Sequence, residues 1–303
     1  MKPTSAIRVY GALLSAMAIW GFSFLAIKDA VGTIPILSLS FARFAIATVA
    51  LGLLALARGR LGLSRSNLLR VGGLTLLSPV GYFLFETYGI SMTQASHASI
   101  LIAAIPIVVY LIAFARRQEP VTWRKTSGIL LAFVGVVVII ASSPSEAGAS
   151  LVGDLLILGA VLCAALRTTL IVDVLKRISP LQLTFYQFFL SLFVFGPCVA
   201  IDGFGWVGEM TSLLWAEVLF LGVGCSAVAF LAMHFALSRL TATRVAVSAN
   251  TVPLVTLFAE AMLFGVALTP LKLIGTVLTI VGVVTTQLGT PPRETPSPTL
   301  RGA

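Results

Sequence analysis

The feature that most restricts this chain is the length of its apolar runs. Ten stretches, 9–28, 36–57, 68–90, 97–115, 126–142, 152–173, 180–201, 212–235, 245–264 and 271–288, are mainly apolar and joined by short connectors. A helix needs about 20 such residues to cross the hydrocarbon core of a bilayer. Charged residues make up 10% of the chain, against about 25% in soluble domains. A mean hydropathy of +1.05 leaves too little polar surface to coat a soluble globule. The reading is an all-α membrane protein of ten transmembrane helices, with no soluble domain. The first run is too long for the apolar region of a signal peptide, about 7–15 residues, and is read as a retained helix.

The basic residues give the orientation. Lys2, Arg8, Arg58, Arg60, Arg65, Arg70, Arg116, Arg117, Arg124, Lys125, Lys176, Arg177, Arg239, Arg244, Arg293 and Arg301 all fall on the amino-terminal side of such a ten-span path, and only Lys28 and Lys272 on the other. The positive-inside rule then puts both termini in the cytoplasm, as expected for a bacterial inner-membrane protein. The formal charge of +9 is thus a record of topology. It forms no basic stripe with interleaved aromatics, so nucleic acid is not an expected partner. Cys163, Cys198 and Cys225 lie singly inside apolar runs and are read as small packing residues, with no metal site.

Two segments recur. Ala95–Tyr110 carries Pro106 inside an apolar run, and Ala242–Leu257 carries Pro253 at the matching place, 147 positions later. At the same offset Thr122 meets Thr269, Gly128 meets Gly275 and Gly135 meets Gly282. Leu39–Phe44 (LSFARF) matches Leu183–Phe188 (LTFYQF) at an offset of 144. The chain is therefore expected to be two copies of a five-span unit, 1–145 and 146–288, followed by a disordered cytoplasmic tail, 289–303. Because five is odd, the copies enter the membrane from opposite sides, as inverted repeats about a pseudo-two-fold axis. Exchange of conformation between two such halves opens a central site alternately to each side, which is how a secondary transporter works.

The residues that carry this repeat also resemble a known family. AIWGFSFLAIK, LSFARFAIA, YGISMTQASHASILIAAIPI and EPVTWRKTSGILLAFVGVVVI in the first half, with ALSRLTATRVAVSANTVPL and LTPLKLIGTVLTIVGVV in the second, are similar to the two EamA halves of the drug/metabolite transporter superfamily. One departure is that the acidic residue before the fifth span, Glu119, has Val266 as its counterpart before the tenth. The resemblance implies a carrier of small metabolites, often an exporter of amino acids or related compounds; efflux of lipophilic cations or drugs is the alternative.

Polar and aromatic residues deep in the spans are the candidates for substrate contact, because an intramembrane charge is costly and normally faces a cavity or a partner. Glu86 lies about one turn inside the third span with Tyr82 on the same face, flanked by Phe85 and Tyr88. They read either as a stacking wall with a carboxylate for an ammonium or a proton, or as an interfacial belt. Trp20 sits near the middle of the first span, where belt tryptophans do not. Arg43 in the second span suits either a substrate carboxylate or a structural bond within the bundle; its counterpart is neutral Gln187. Arg167 is expected to snorkel. Asn250 stands beside the break that Pro253 should make by freeing the carbonyl of Ala249, and Pro106 should free that of Ile102. His97 and Ser99 are candidate gate residues, His234 an interfacial histidine, and Glu260 a second possible proton carrier. The small-residue faces Gly128–Ala132–Gly135 and Gly275–Thr279–Gly282 are expected to be closely packed scaffold. The short connectors hold no phosphate loop, metal-ligand cluster or nucleophile–base pair, so neither catalysis nor a cofactor is expected. The partners expected are a small molecule and the bilayer, and ten helices in one chain suffice to enclose a site as a monomer.

Overall fold

The computed structural model describes residues 6–30, 32–59, 61–92, 101–142, 150–264 and 268–288. Among these the regular elements are helices, with no strand. In chain order they are α1 (Ala6–Ala30), α2 (Ile36–Ala57), α3 (Arg65–Thr75), α4 (Tyr82–Met92), α5 (Ile105–Ala115), α6 (Trp123–Ala141), α7 (Leu151–Val174), α8 (Pro180–Asp202), α9 (Ser212–Leu219), α10 (Phe230–Leu237), α11 (Ala242–Ser248), α12 (Val252–Phe264) and α13 (Pro270–Gln287). Among the described residues, eight helical stretches are long and apolar enough to cross a membrane. Leu101–Ala115 is a shorter apolar helix, since its expected first residues lie outside those described. The tail 289–303 also lies outside them. Large apolar side chains such as Leu53, Leu111, Phe193 and Val277 are exposed, the arrangement that a lipid solvent calls for and water does not. The chain is an all-helical, multi-pass membrane protein.

The third span does not run unbroken over 68–90. Between α3 and α4 the backbone of Ser78 is extended (φ −161°, ψ 131°). The cause is local: the residue before a proline is pushed out of the helical region, and Pro79 has no N–H to carry the ladder on. The eighth span is irregular at its middle too, where Phe220–Ala229 is π-helical. There Ser226 Oγ donates to the Leu221 carbonyl five residues earlier, at 2.9 Å. The two prolines of the repeat mark breaks as well. α5 carries Pro106 in its first turn, and Ala249–Thr251 forms a single 3-10 turn just before Pro253. The carbonyl of Ala249 is not left open, as the sequence suggested: the Val252 N–H takes it in the tightened turn.

The helices group into two compact units, one from the described residues of Met1–Leu76 and Leu170–Thr241, the other from those of Leu77–Thr169 and Ala242–Thr290. Each draws on both halves of the sequence. In the first unit α2 lies along α8, α3 meets α8, and α1 packs on the π-helical segment and α10. Its core includes Phe44, whose ring contacts Phe188 at 5.1 Å and Phe195 at 5.5 Å. α8 starts with a capping box, Ser179 and Gln182, and Pro180 in the first turn.

In the second unit α6 and α13 are packed along their length, and α11 lies on α5. Within hydrocarbon there is no hydrophobic force to bring helices together, so close backbone approach supplies the attraction. A Cβ at Gly135 would meet Gly275 O at 2.6 Å, and one at Gly275 would meet Gly135 O at 2.6 Å. Gly128 stands in the same relation to the carbonyl of Gly282. The expectation of a scaffold built on these small-residue faces is met by α6 and α13 against each other. Both helices start on the same device, with Thr122 Oγ1 accepting the Lys125 N–H and Thr269 Oγ1 accepting the Lys272 N–H.

Candidate functional site

In the second unit, Tyr82 Oη donates to Glu86 Oε1 at 2.7 Å. The i, i+4 spacing on α4 places them on one face, and both are half-buried. The break at Ser78–Pro79 lies three residues before α4 begins at Tyr82. Phe85 and Tyr88 beside them are 39% and 50% exposed, and Phe85 also covers Gly159 of α7, where a Cβ would touch its ring at 3.4 Å. A carboxylate held by a phenol and bordered by aromatic rings is suited to an amine or to a proton.

In the first unit, Trp20 Nε1 donates to the Cys225 carbonyl at 3.1 Å, and the Trp20 ring meets Phe230 edge-on at 5.1 Å. Arg43 Nε donates to Ser226 Oγ at 3.0 Å, with its guanidinium 5.9 Å from the Phe44 centroid. The structure thus brings Trp20 and Arg43 onto adjacent residues of one π-helical segment. Such segments recur at functional positions because they turn backbone groups away from the regular ladder. Gly222 lets α2 come close, since a Cβ there would strike the Ile46 side chain at 2.5 Å. His234 is fully buried, and its Nδ1 shares a hydrogen bond of 2.8 Å with Thr184 Oγ1.

The remaining candidates fall elsewhere. Asn250, in the second unit, is 5% exposed and its Nδ2 has no partner among the described residues. Pro106 is buried and Pro253 half-buried at their helix breaks. His97 and Ser99 lie outside the described residues, and so does the side chain of Glu260. Two polar features of the second unit were not singled out as a site in the sequence. Glu119, 4% exposed, accepts the Thr243 N–H at 3.1 Å through Oε1 and Lys125 Nζ at 2.7 Å through Oε2. Tyr110 Oη accepts the Thr122 N–H at 2.9 Å. Only an acidic residue just before a helix hinted at the first, and the partner lies 124 positions away. Among the described residues no cluster of histidine, cysteine or carboxylate side chains could hold a metal ion.

A family model matches nearly all of the chain. The EamA-like transporter family accounts for residues 8–141 and again for 151–287. The chain belongs to the EamA-like transporter family. Relatives of this EamA protein span its length. An uncharacterized transporter of Archaeoglobus fulgidus is 28% identical over 271 residues, 89% of this chain and 95% of its own. A probable terminal-alkyne amino-acid exporter of Streptantibioticus cattleyicolor is 26% identical, covering 90% of this chain and 91% of its own. A probable amino-acid metabolite efflux pump of Escherichia coli is 26% identical, covering 89% and 91%. One solved crystal structure superposes with a TM-score of 0.82 over 94% of this chain and 98% of the other. At 18% identity that likeness speaks to the fold alone. This EamA protein is a membrane-embedded transporter of small molecules.

Proposed function

We propose that this transporter exports amino acids or closely related compounds by alternating access, from the cytoplasmic side of a bacterial inner membrane. The observation that carries the reading is the match, across 89% and 90% of the chain, to two relatives named as an amino-acid metabolite efflux pump and an amino-acid exporter. Trp20, Arg43, Tyr82, Glu86 and Asn250 are the proposed substrate contacts. Pro106 and Pro253, with His97, are the proposed points of gating. The unit of transport is one chain of ten spans, with both termini in the cytoplasm.

Reciprocal packing supports the two inverted five-span repeats, 1–145 and 146–288. About a two-fold axis, if residue i touches the equivalent of j, then the equivalent of i touches j. At the offset of 144, Gly52 and Gly196 are equivalent, as are Phe41 and Phe185. Gly52 lies under the ring of Phe185, and Gly196 under that of Phe41, at Cβ positions 3.1 and 3.5 Å away. At the offset of 147 the Gly128–Gly282 approach maps onto Gly275–Gly135, and both are present. The paired Thr122 and Thr269 caps follow the same relation.

Proteoliposomes loaded with a panel of labelled amino acids should release them, faster with a proton gradient if Glu86 carries the coupling proton. Absence of flux across the whole panel would overturn the export reading. Efflux of lipophilic cations is separated by the variant Glu86→Gln: a cation carrier should lose cation resistance, whereas an amino-acid exporter should lose amino-acid flux. Single-cysteine labelling from each side of the membrane tests the topology, with both ends expected on the cytoplasmic face.

A further inference from the structure

Arg244 is the second basic residue of the connector Ser238–Arg244, and by charge alone it is one of the cytoplasmic positive charges that orient the chain. The structure gives it a different character. It lies in α11 and is 2% exposed. Its backbone carbonyl is taken by Gln287 Nε2 at 2.9 Å and by Ser248 Oγ at 2.9 Å, so the main chain is fixed. Its side-chain Nε and Nη2, by contrast, are both buried and have no hydrogen-bond partner among the described residues. The neighbouring Thr243 Oγ1 is in the same state. Glu119, which accepts the Thr243 N–H, is also engaged by Lys125 Nζ.

The two unpartnered nitrogens are not an arbitrary pair. Nε–H and one Nη2–H point the same way along one edge of the planar guanidinium, and that edge matches the two oxygens of a carboxylate in a bidentate fork. A buried guanidinium whose fork lacks acceptors is costly to keep. Leucine or methionine would fill the same volume without that cost, so retaining arginine asks for a ligand that meets it. We propose that the Nε/Nη2 edge of Arg244 is a binding site for a carboxylate, the substrate's own, at the cytoplasmic end of the ninth span. The inference rests on the amino-acid export reading, for which it supplies the group that recognises the acid end of the substrate. Thr243 adds a hydroxyl next to the fork. At the repeat offset of 147 the counterpart of Arg244 is His97, so each half carries a basic side chain at this place in its fourth span, and inverted repeats would put the two at opposite faces of the membrane.

The test separates the acid end of a ligand from its amine end. Purified full-length protein in nanodiscs is titrated with leucine and phenylalanine, with their deaminated acids isocaproate and hydrocinnamate, and with their decarboxylated amines isoamylamine and phenethylamine. Inorganic phosphate is included as a non-carboxylate anion. In the wild type the amino acids and the acids bind. In Arg244→Gln their affinity falls at least about tenfold, the scale of a charge-assisted hydrogen-bond pair, while amine binding is unchanged. Arg244→Lys recovers part of the loss, because a point charge replaces the fork. Arg244→Met should fold and melt no lower than the wild type, since no internal bond of the side chain is lost; a large fall in melting temperature would show a structural arginine and overturn the proposal. Acids that bind Arg244→Gln as well as wild type, or bind neither, would also overturn it, as would a site filled better by phosphate than by any acid. Amino-acid export undiminished in Arg244→Gln sinks this site and leaves the export reading standing. Acids bound through Arg244 without amino-acid export would do the reverse.

Discussion

Phe44 and Phe188 are equivalent residues of the two matched segments, 144 positions apart, and their rings pack on each other at 5.1 Å. Only residues next to a pseudo-two-fold axis can touch their own counterparts, so under the proposed inverted repeat this contact would put the axis within the α2–α8 pair. Phe44 is fully buried and Phe188 is 1% exposed. Phe44→Ala and Phe188→Ala should each cost about 3–5 kcal/mol of stability. The double variant should cost clearly less than the sum, because both remove the same contact. Thermal unfolding of the four proteins in one detergent measures this.

The α6–α13 crossing tolerates no side chain at its glycines. A Cβ at Gly135 would collide with Thr279 N at 2.5 Å and Gly275 O at 2.6 Å, both backbone atoms that cannot swing aside. Gly135→Ala and Gly275→Ala should each destabilise by about 1–3 kcal/mol and lower the yield of monodisperse protein. Gly11→Ala is the control: nothing lies within 4 Å of its Cβ position, and helix propensity there favours alanine by up to about 1 kcal/mol.

Glu119 joins the start of α11 to the start of α6 through Thr243 N–H and Lys125 Nζ. Both charged side chains are largely buried, at 2% and 12% exposure. Removing the acid leaves an uncompensated lysine, so Glu119→Ala should cost about 3 kcal/mol. Glu119→Gln keeps an acceptor for Thr243 and should cost less. The double variant Glu119→Ala, Lys125→Met should recover part of the loss in melting temperature. No recovery would mean that the Thr243 bond dominates.

Trp20 is held by one hydrogen bond to Cys225 and one edge-on contact with Phe230. Trp20→Phe keeps an aromatic ring and loses the donor, and should cost about 1 kcal/mol. Trp20→Ala loses both and should cost about 3 kcal/mol or more. If Trp20 touches substrate as proposed, transport by Trp20→Phe should show a raised KM out of proportion to that small loss of stability. An unchanged KM would leave Trp20 as packing alone.

Tyr82→Phe removes the donor to Glu86 and keeps the ring. The carboxylate then loses that hydrogen bond, and the pH profile of transport should move while the protein's stability falls by only about 1 kcal/mol. A profile identical to that of the wild type would argue against Glu86 as a titrating group in the cycle.

The apolar runs alone determined that this chain is a multi-pass helical membrane protein, because hydrocarbon leaves the backbone no partner but itself. The recurrence of the two segments was also legible in the sequence, the breaks before Pro106 and Pro253 follow from a missing N–H, and the glycine faces announce a close crossing. The extension at Ser78 was legible in principle too, since Pro79 follows it, but a hydropathy window averages over one residue. The tertiary structure alone decided which polar groups are spoken for. Arg43 is used by Ser226 and Glu119 by Thr243, at separations of 183 and 124 positions, whereas Arg244, which by charge reads as part of a polar connector, is buried with its fork unmet among the described residues. Composition and periodicity report whether a residue is buried on average along its own helix. Whether a buried charge has a partner depends on which other helix reaches it, and that is fixed only when the segments pack.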